Sequence, residues 1–287
     1  MSDVAADALL DQPLGHLKKA STGKRADGRR PLRMAATAWF ALAATGQLLF
    51  VAYLFLLYGR AALHGDWAVL NKVMPHGYVA GDTAGNLAIA LHITLAAYIT
   101  VAGLIQLVPQ IRARVPALHR WNGRIYLVCV SAACIAGLYM VWVRGSIGDL
   151  SQHLGITLDA LLVLVCACMT VRHAMARRIA VHRRWALRLF MVANAVWFYR
   201  VGLMFWVLIN HGPVGFDPKT FTGPTLTTVS FANSLLPLAV VELYLRAQER
   251  GSPRQRKAVA ATVGLLSIAM AIGIFGAVVG LWLPNVQ

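Results

Sequence analysis

Leu118-His119-Arg120-Trp121-Asn122-Gly123-Arg124-Ile125-Tyr126-Leu127-Val128 is the stretch on which the reading of this chain turns. It returns in looser form as Val181-His182-Arg183-Arg184-Trp185-Ala186-Leu187-Arg188-Leu189-Phe190-Met191-Val192. Each copy has a His-Arg pair, then a Trp, then an Arg three residues after the Trp. An aliphatic residue, an aromatic one and a long apolar run follow. Basic, wet segments that hand over to apolar runs near 20 residues long predict turns leading into membrane-spanning helices.

Composition agrees. Of 287 residues, 58% are hydrophobic and 13% charged, with mean hydropathy +0.61. Soluble domains carry about 25% charged residues. The net charge of +16 sits in short blocks between apolar runs, so it encodes topology and predicts no nucleic-acid partner. Cys129, Cys134, Cys166 and Cys168 all fall inside apolar runs and read as small buried hydrophobes.

The expected fold is therefore all-α, a polytopic helical bundle of about seven spans. These are Ala35–Leu57, Ala84–Val108, Ile125–Val143, Leu154–Val171, Leu189–Asn210, Thr227–Leu245 and Val259–Leu283. Residues 1–34 read as a mobile basic tail without a secretory signal, and residues 35–287 as the transmembrane domain, with a core four-helix unit over 84–210. Of the 27 Lys and Arg, 22 lie in the tail or in loops on its side, four (Arg60, Lys72, Arg144, Lys219) lie opposite, and Arg200 lies within a span. The positive-inside rule then predicts a cytoplasmic N-terminus in a bacterial inner membrane. The bilayer is the expected partner.

Ionisable groups within spans are costly and mark function by default. His92, Asp159, Arg200 and Glu242 are four such groups. Asp159 and Arg200 lie near enough to mid-span to form a structural ion pair, and a substrate or proton role is the equal alternative. Gly103 and Gln106 share a helix face with His92.

The two basic stretches also suggest an internal repeat, offset by 63 residues from His119 to His182 and by 61 from His92 to His153. Duplicated hairpins would put His92 and His153 toward the outer face and His119 and His182 at the inner face. That arrangement suits two stacked b-type haems, each held by two imidazoles from facing helices. Arg120, Arg124, Arg183 and Arg188 would then neutralise propionates.

The string His119-Arg120-x-x-Gly123-Arg124-x-Tyr126, with His92 and Gln106 upstream, resembles a bacterial family of predicted membrane proteins that carries only a domain-of-unknown-function label, number 2306. A second family signature resembles His182, Arg183, Trp185, Arg188 and Arg200. The resemblance covers about Leu91 to Trp206, departs at Ala186 where the family tends to have Met, and leaves flanking spans outside. It implies a polytopic inner-membrane protein and no assigned activity. A more distant, architectural likeness is to ascorbate-reducible di-haem b cytochromes and ferric reductases, which carry one His on each of four consecutive helices.

Two functional expectations follow. One is a transmembrane electron-transfer protein, drawing electrons from a quinol or small reductant. The other is a cofactor-free small-molecule binding or transport module, or an accessory subunit. In that second reading His92, Asp159, Arg200 and Gln106 are polar residues of a pocket open to the outside, capped by the loops Arg60–Asp82 and His211–Pro224. No Gly-x-Ser-x-Gly, His-Glu-x-x-His or phosphate loop supports hydrolysis.

Overall fold

A computed structural model describes residues 15–73, 77–145 and 148–286, with side chains described from Arg29 onward except at positions 72 and 73. Among these residues the chain is helical, without strands. Eight long helices make up the bundle. They are α1 (Gly15–Leu54), α2 (Thr83–Leu107), α3 (Pro116–Tyr139), α4 (Leu150–Met175), α5 (Ile179–Ala193), α6 (Ala195–Ile209), α7 (Pro224–Arg250) and α8 (Pro253–Ala277). Single π-turns extend α1 (Phe55–Gly59), α3 (Met140–Gly145) and α8 (Val278–Trp282). Among the described residues six helices are long and apolar enough to cross a membrane, and seven if α5 and α6, bent by 53° at their junction, are counted as one broken span.

The starts of the helices are written in the sequence. Pro116, Pro224 and Pro253 occupy first-turn positions, where a missing N–H costs nothing. Asp82 accepts from Gly85 N at 2.9 Å, and Asp149 from Gln152 N at 3.0 Å. Ser252 and Gln255 form a reciprocal capping box.

Three boundaries differ from the sequence expectation. Helix α1 already includes residues 15–34, which were read as tail; residues 1–14 lie outside the described part. Both basic stretches are helical rather than turns, because α3 starts at Pro116 and α5 at Ile179. The fifth span is broken at Asn194, whose side chain turns back to the Phe190 carbonyl at 2.8 Å.

Packing divides the bundle in two. Helices α2, α3, α4 and α5 enclose one core, with Ile99, Tyr126, Val130, Val163, Cys166 and Val192. Helices α1, α6 and α8 enclose another, with Ala43, Phe50, Trp197, Val201 and Ile274. Leu104, Phe190 and Val241 join the two through α7. Numerous exposed apolar residues, among them Leu87, Val128, Ile135, Leu161, Leu265 and Phe275, form the outer surface, as a bilayer requires. Cys168 belongs to that surface, unlike the buried Cys166.

The basic blocks share one end. Leu32 packs with Ala247 and Ala260, and Arg184 pairs with Glu249. At the opposite end Arg144 pairs with Asp82 at 3.0 Å, Arg60 donates to the Val286 carbonyl at 3.3 Å, and Gln152 donates to the Phe221 carbonyl at 2.9 Å.

A close helix approach occurs at Gly273, where an added Cβ would collide with the Val201 carbonyl of α6. Backbone cannot yield as a side-chain tip can. Gly273→Ala is therefore expected to destabilise the protein by about 1–3 kcal/mol. Gly264→Ala, on the same helix with nothing within 4 Å, should leave the thermal unfolding midpoint in detergent unchanged.

Candidate functional site: a polar cluster around Arg200

The four histidines have different fates. His92 on α2 sets Nδ1 3.1 Å from the Ala133 carbonyl on α3. Its ring lies over Gly137, where a Cβ would come 3.5 Å from Cε1. His182 on α5 sets Nδ1 3.0 Å from the Thr170 carbonyl on α4. A carbonyl only accepts, so both rings carry the proton on Nδ1 and leave the Nε2 lone pair free. His119 has a buried Nδ1 without a partner, and lies within electrostatic reach of His182. His153 packs edge-on against Trp142, centroids 5.9 Å apart, with a buried, unpartnered Nε2.

Several other expected residues are engaged elsewhere. Gln106 donates to the backbone carbonyl of His119 at 2.9 Å and faces Gly123, so it ties α2 to α3 instead of lining a pocket. Arg188 pairs with Glu242 and stacks on Trp185 at 4.9 Å, which occupies the guanidinium otherwise assigned to a propionate. Arg124 stacks on Trp121 at 4.9 Å. Arg120 and Arg183 are exposed.

Asp159 and Arg200 do not pair. Asp159 accepts from Ser234 Oγ on α7 at 2.6 Å. Arg200 donates to the Val196 carbonyl at 3.2 Å and holds its guanidinium over the Phe50 ring at 5.4 Å. The bend at Asn194 explains the separation. Beyond it α6 packs against α8 and α7, and its Trp197 and Val201 join Phe50 of α1 in one core. The loop ending at Gly223 likewise anchors on α4, through Gln152 and through Ser151 with Thr227.

What gathers around Arg200 is a set that the sequence reading passed over in part. Its charge reaches Tyr53 and Tyr58 at the end of α1, and His92 on α2. Phe50, Tyr53 and Trp282 form a ring cluster with centroids 5.5–6.2 Å apart. One turn before Phe50 lies Gln47, 0% exposed, with neither amide atom bonded. The indole N–H groups of Trp197 and Trp282 are also buried and unpartnered. An unsatisfied buried polar group costs about 1–3 kcal/mol, so several in one region call for an explanation. Gln47 was visible in the sequence as an amide inside an apolar run; its neighbours were not.

A haem would need two imidazole Nε2 atoms on opposite sides of an iron. At the basic end, His119 on α3 and His182 on α5 supply imidazoles within electrostatic reach of each other, and the Nδ1–carbonyl bond of His182 leaves its Nε2 able to ligate. At the other end, among the described residues, no hydrogen bond, ring contact or electrostatic interaction joins His92 to His153. Among the described residues no group of three or more His, Cys, Asp or Glu side chains gathers as a metal site.

Residues 89–245 match the family model of predicted membrane proteins DUF2306, just over half of the chain. The chain belongs to the DUF2306 family. No curated protein and no solved structure gives a match. The DUF2306 segment runs from α2 through most of α7, further than the sequence resemblance reached. It contains His92, Trp197 and Arg200, while Gln47, Phe50, Tyr53 and Trp282 come from helices outside it. The site is thus assembled between the family segment and the two helices that clasp it.

Because Asp159 and Arg200 face different neighbours, Asp159→Asn and Arg200→Gln should act independently. A double-mutant cycle read by unfolding midpoint is expected to give a coupling below about 0.5 kcal/mol.

Proposed function

We propose that this protein is a membrane small-molecule binding and transport module whose ligand is a small organic anion with an apolar body, held by Arg200. The observation that carries this reading is a guanidinium inside a spanning helix with no carboxylate within ion-pair distance among the described residues. Intramembrane arginines normally face a partner or a water-filled path. Here the surroundings are aromatic rings and uncommitted hydrogen-bonding groups.

The chemistry of such a site follows from its members. The planar fork of Arg200 matches a carboxylate bidentately, and Phe50 fixes its plane. The amide of Gln47 and the indole N–H of Trp197 offer further hydrogen bonds. The His92 ring is oriented by its Nδ1 contact with the Ala133 carbonyl, which leaves Nε2 for a further hydrogen bond. The ring cluster of Phe50, Tyr53 and Trp282 gives an apolar wall.

The break at Asn194 supports transport in addition to binding. Discontinuous helices form the substrate sites of many transporters, where the N-terminal end of a half-helix favours anions. Helix α6 starts at this break, with Arg200 in its second turn. With the basic blocks taken as cytoplasmic by the positive-inside rule, Arg200 lies beyond the break, on the half of the span toward the opposite face.

Two of the tryptophans lie in the cluster, so binding has a built-in reporter. A panel of monocarboxylates is expected to include members that change tryptophan emission saturably and raise the unfolding midpoint. Arg200→Gln should weaken their Kd at least ten-fold, a loss of about 1.4 kcal/mol. A panel without binders, or binding indifferent to Arg200→Gln, overturns the proposal.

A second reading rests on one feature, that His119 on α3 and His182 on α5 are within electrostatic reach of each other at the basic end. A single b-type haem held by those two residues would supply one-electron chemistry to a quinol or small reductant. Protein from haem-replete cells would then show a reduced b-type visible band that His182→Ala removes. A colourless preparation eliminates this reading and leaves the Arg200 site untouched.

A further inference from the structure

Between α3 and α4, on the bilayer-facing surface toward the basic end, lies an open groove of about 750 Å³. Leu127 lines it from α3, and Leu164, Cys168, Val171, Arg172 and Met175 line it from α4. Apart from Arg172 these side chains are apolar or small. Arg172 belongs to the last turn of α4, so the charge sits at one end and the apolar walls run away from it.

The same end has further charge. Arg124 and Arg120 precede Leu127 by three and seven residues on α3, which puts them on the stripe of that helix that forms the groove wall. Arg124 is held over the exposed ring of Trp121, a residue type that sits at the headgroup level of bilayers. Glu242 and Glu249, the acidic residues of the basic end, are bound to Arg188, Arg246 and Arg184. No carboxylate comes within ion-pair distance of Arg120, Arg124 or Arg172 among the described residues.

We propose that this groove is a binding site for an anionic glycerophospholipid. The phosphate lies against Arg172, with Arg124 and Arg120 adding to the positive field, and an acyl chain lies along Leu127, Leu164 and Val171. Basic pockets between spanning helices bind anionic headgroups in this way. Charge at one end and hydrocarbon along the rest is the polarity of a lipid. A soluble anion would use the first and gain nothing from the second. The site is independent of Arg200, which lies in the other half of the bundle.

The test is native mass spectrometry of the full chain released from nanodiscs of equal phosphatidylglycerol and phosphatidylcholine. The wild type should retain phosphatidylglycerol at least five-fold over phosphatidylcholine. Arg172→Gln should reduce that preference about five-fold without changing the unfolding midpoint in phosphatidylcholine alone. Cys168→Trp, which fills the groove from an exposed position, should displace retained lipid of both kinds. Equal retention of the two lipids by the wild type overturns the proposal, as does a preference unaltered in both variants. Release of phosphatidylglycerol by millimolar inorganic phosphate would overturn it too, since it would reveal a site for free anions.

Discussion

In hydrocarbon a hydrogen-bonding group has no water to turn to, and each must find a partner within the protein. This constraint explains most of what the polar residues of the bundle do. His92 finds the carbonyl of Ala133, and His182 that of Thr170. Gln106 reaches the carbonyl of His119. Asn122 donates to the Ala102 carbonyl at 3.1 Å and accepts from Tyr98 at 3.0 Å. All five bonds run between helices, so polarity here is structural glue. Gln47, Trp197 and Trp282 are exceptions, as are His119, His153 and Tyr126, which also keep a buried polar atom without a partner.

The two hairpins α2–α3 and α4–α5 resemble each other at their basic starts but are fastened differently. In the first, the imidazole of the leading helix bonds to the following one, near the end away from the basic blocks. In the second, the imidazole of the following helix bonds back to the leading one, at the basic end. His119 and His182 occupy matching sequence positions, yet only His182 has its ring bonded. Whatever its origin, the repetition of His-Arg and Trp has not produced two equivalent sites.

The spans were legible because a run of apolar residues has no other stable home, and the basic blocks fixed which helix ends lie together. The starts of α3 and α5 were misjudged because Arg120, Arg124 and Arg183 read as loop. Arginine is in fact a good helix former, and its long stem lets the first turns reach polar surroundings. The pairing of Asp159 with Arg200 failed for another reason. Depth along a span can be counted from the sequence, but the direction a side chain faces cannot once the helix bends. Asn194, a short polar residue between apolar runs, was the sign of that bend. The gathering of Gln47 and Trp282 with Arg200 joins three segments far apart in the chain, and no local pattern reports such a meeting.

The clasp of α1 by α8 carries a consequence for biosynthesis. A Cβ on Gly46 would touch Ile274 and Trp197, so the wall that shields Gln47 is completed by residues translated long after it. At about 5–20 residues per second, the delay is on the order of tens of seconds. During that interval α1 lacks the packing that α8 supplies, although α2 and α6 are already present to flank it. The nascent chain is therefore at its most vulnerable before α8 enters, when quality-control proteases that recognise polar groups in the membrane would have their opportunity.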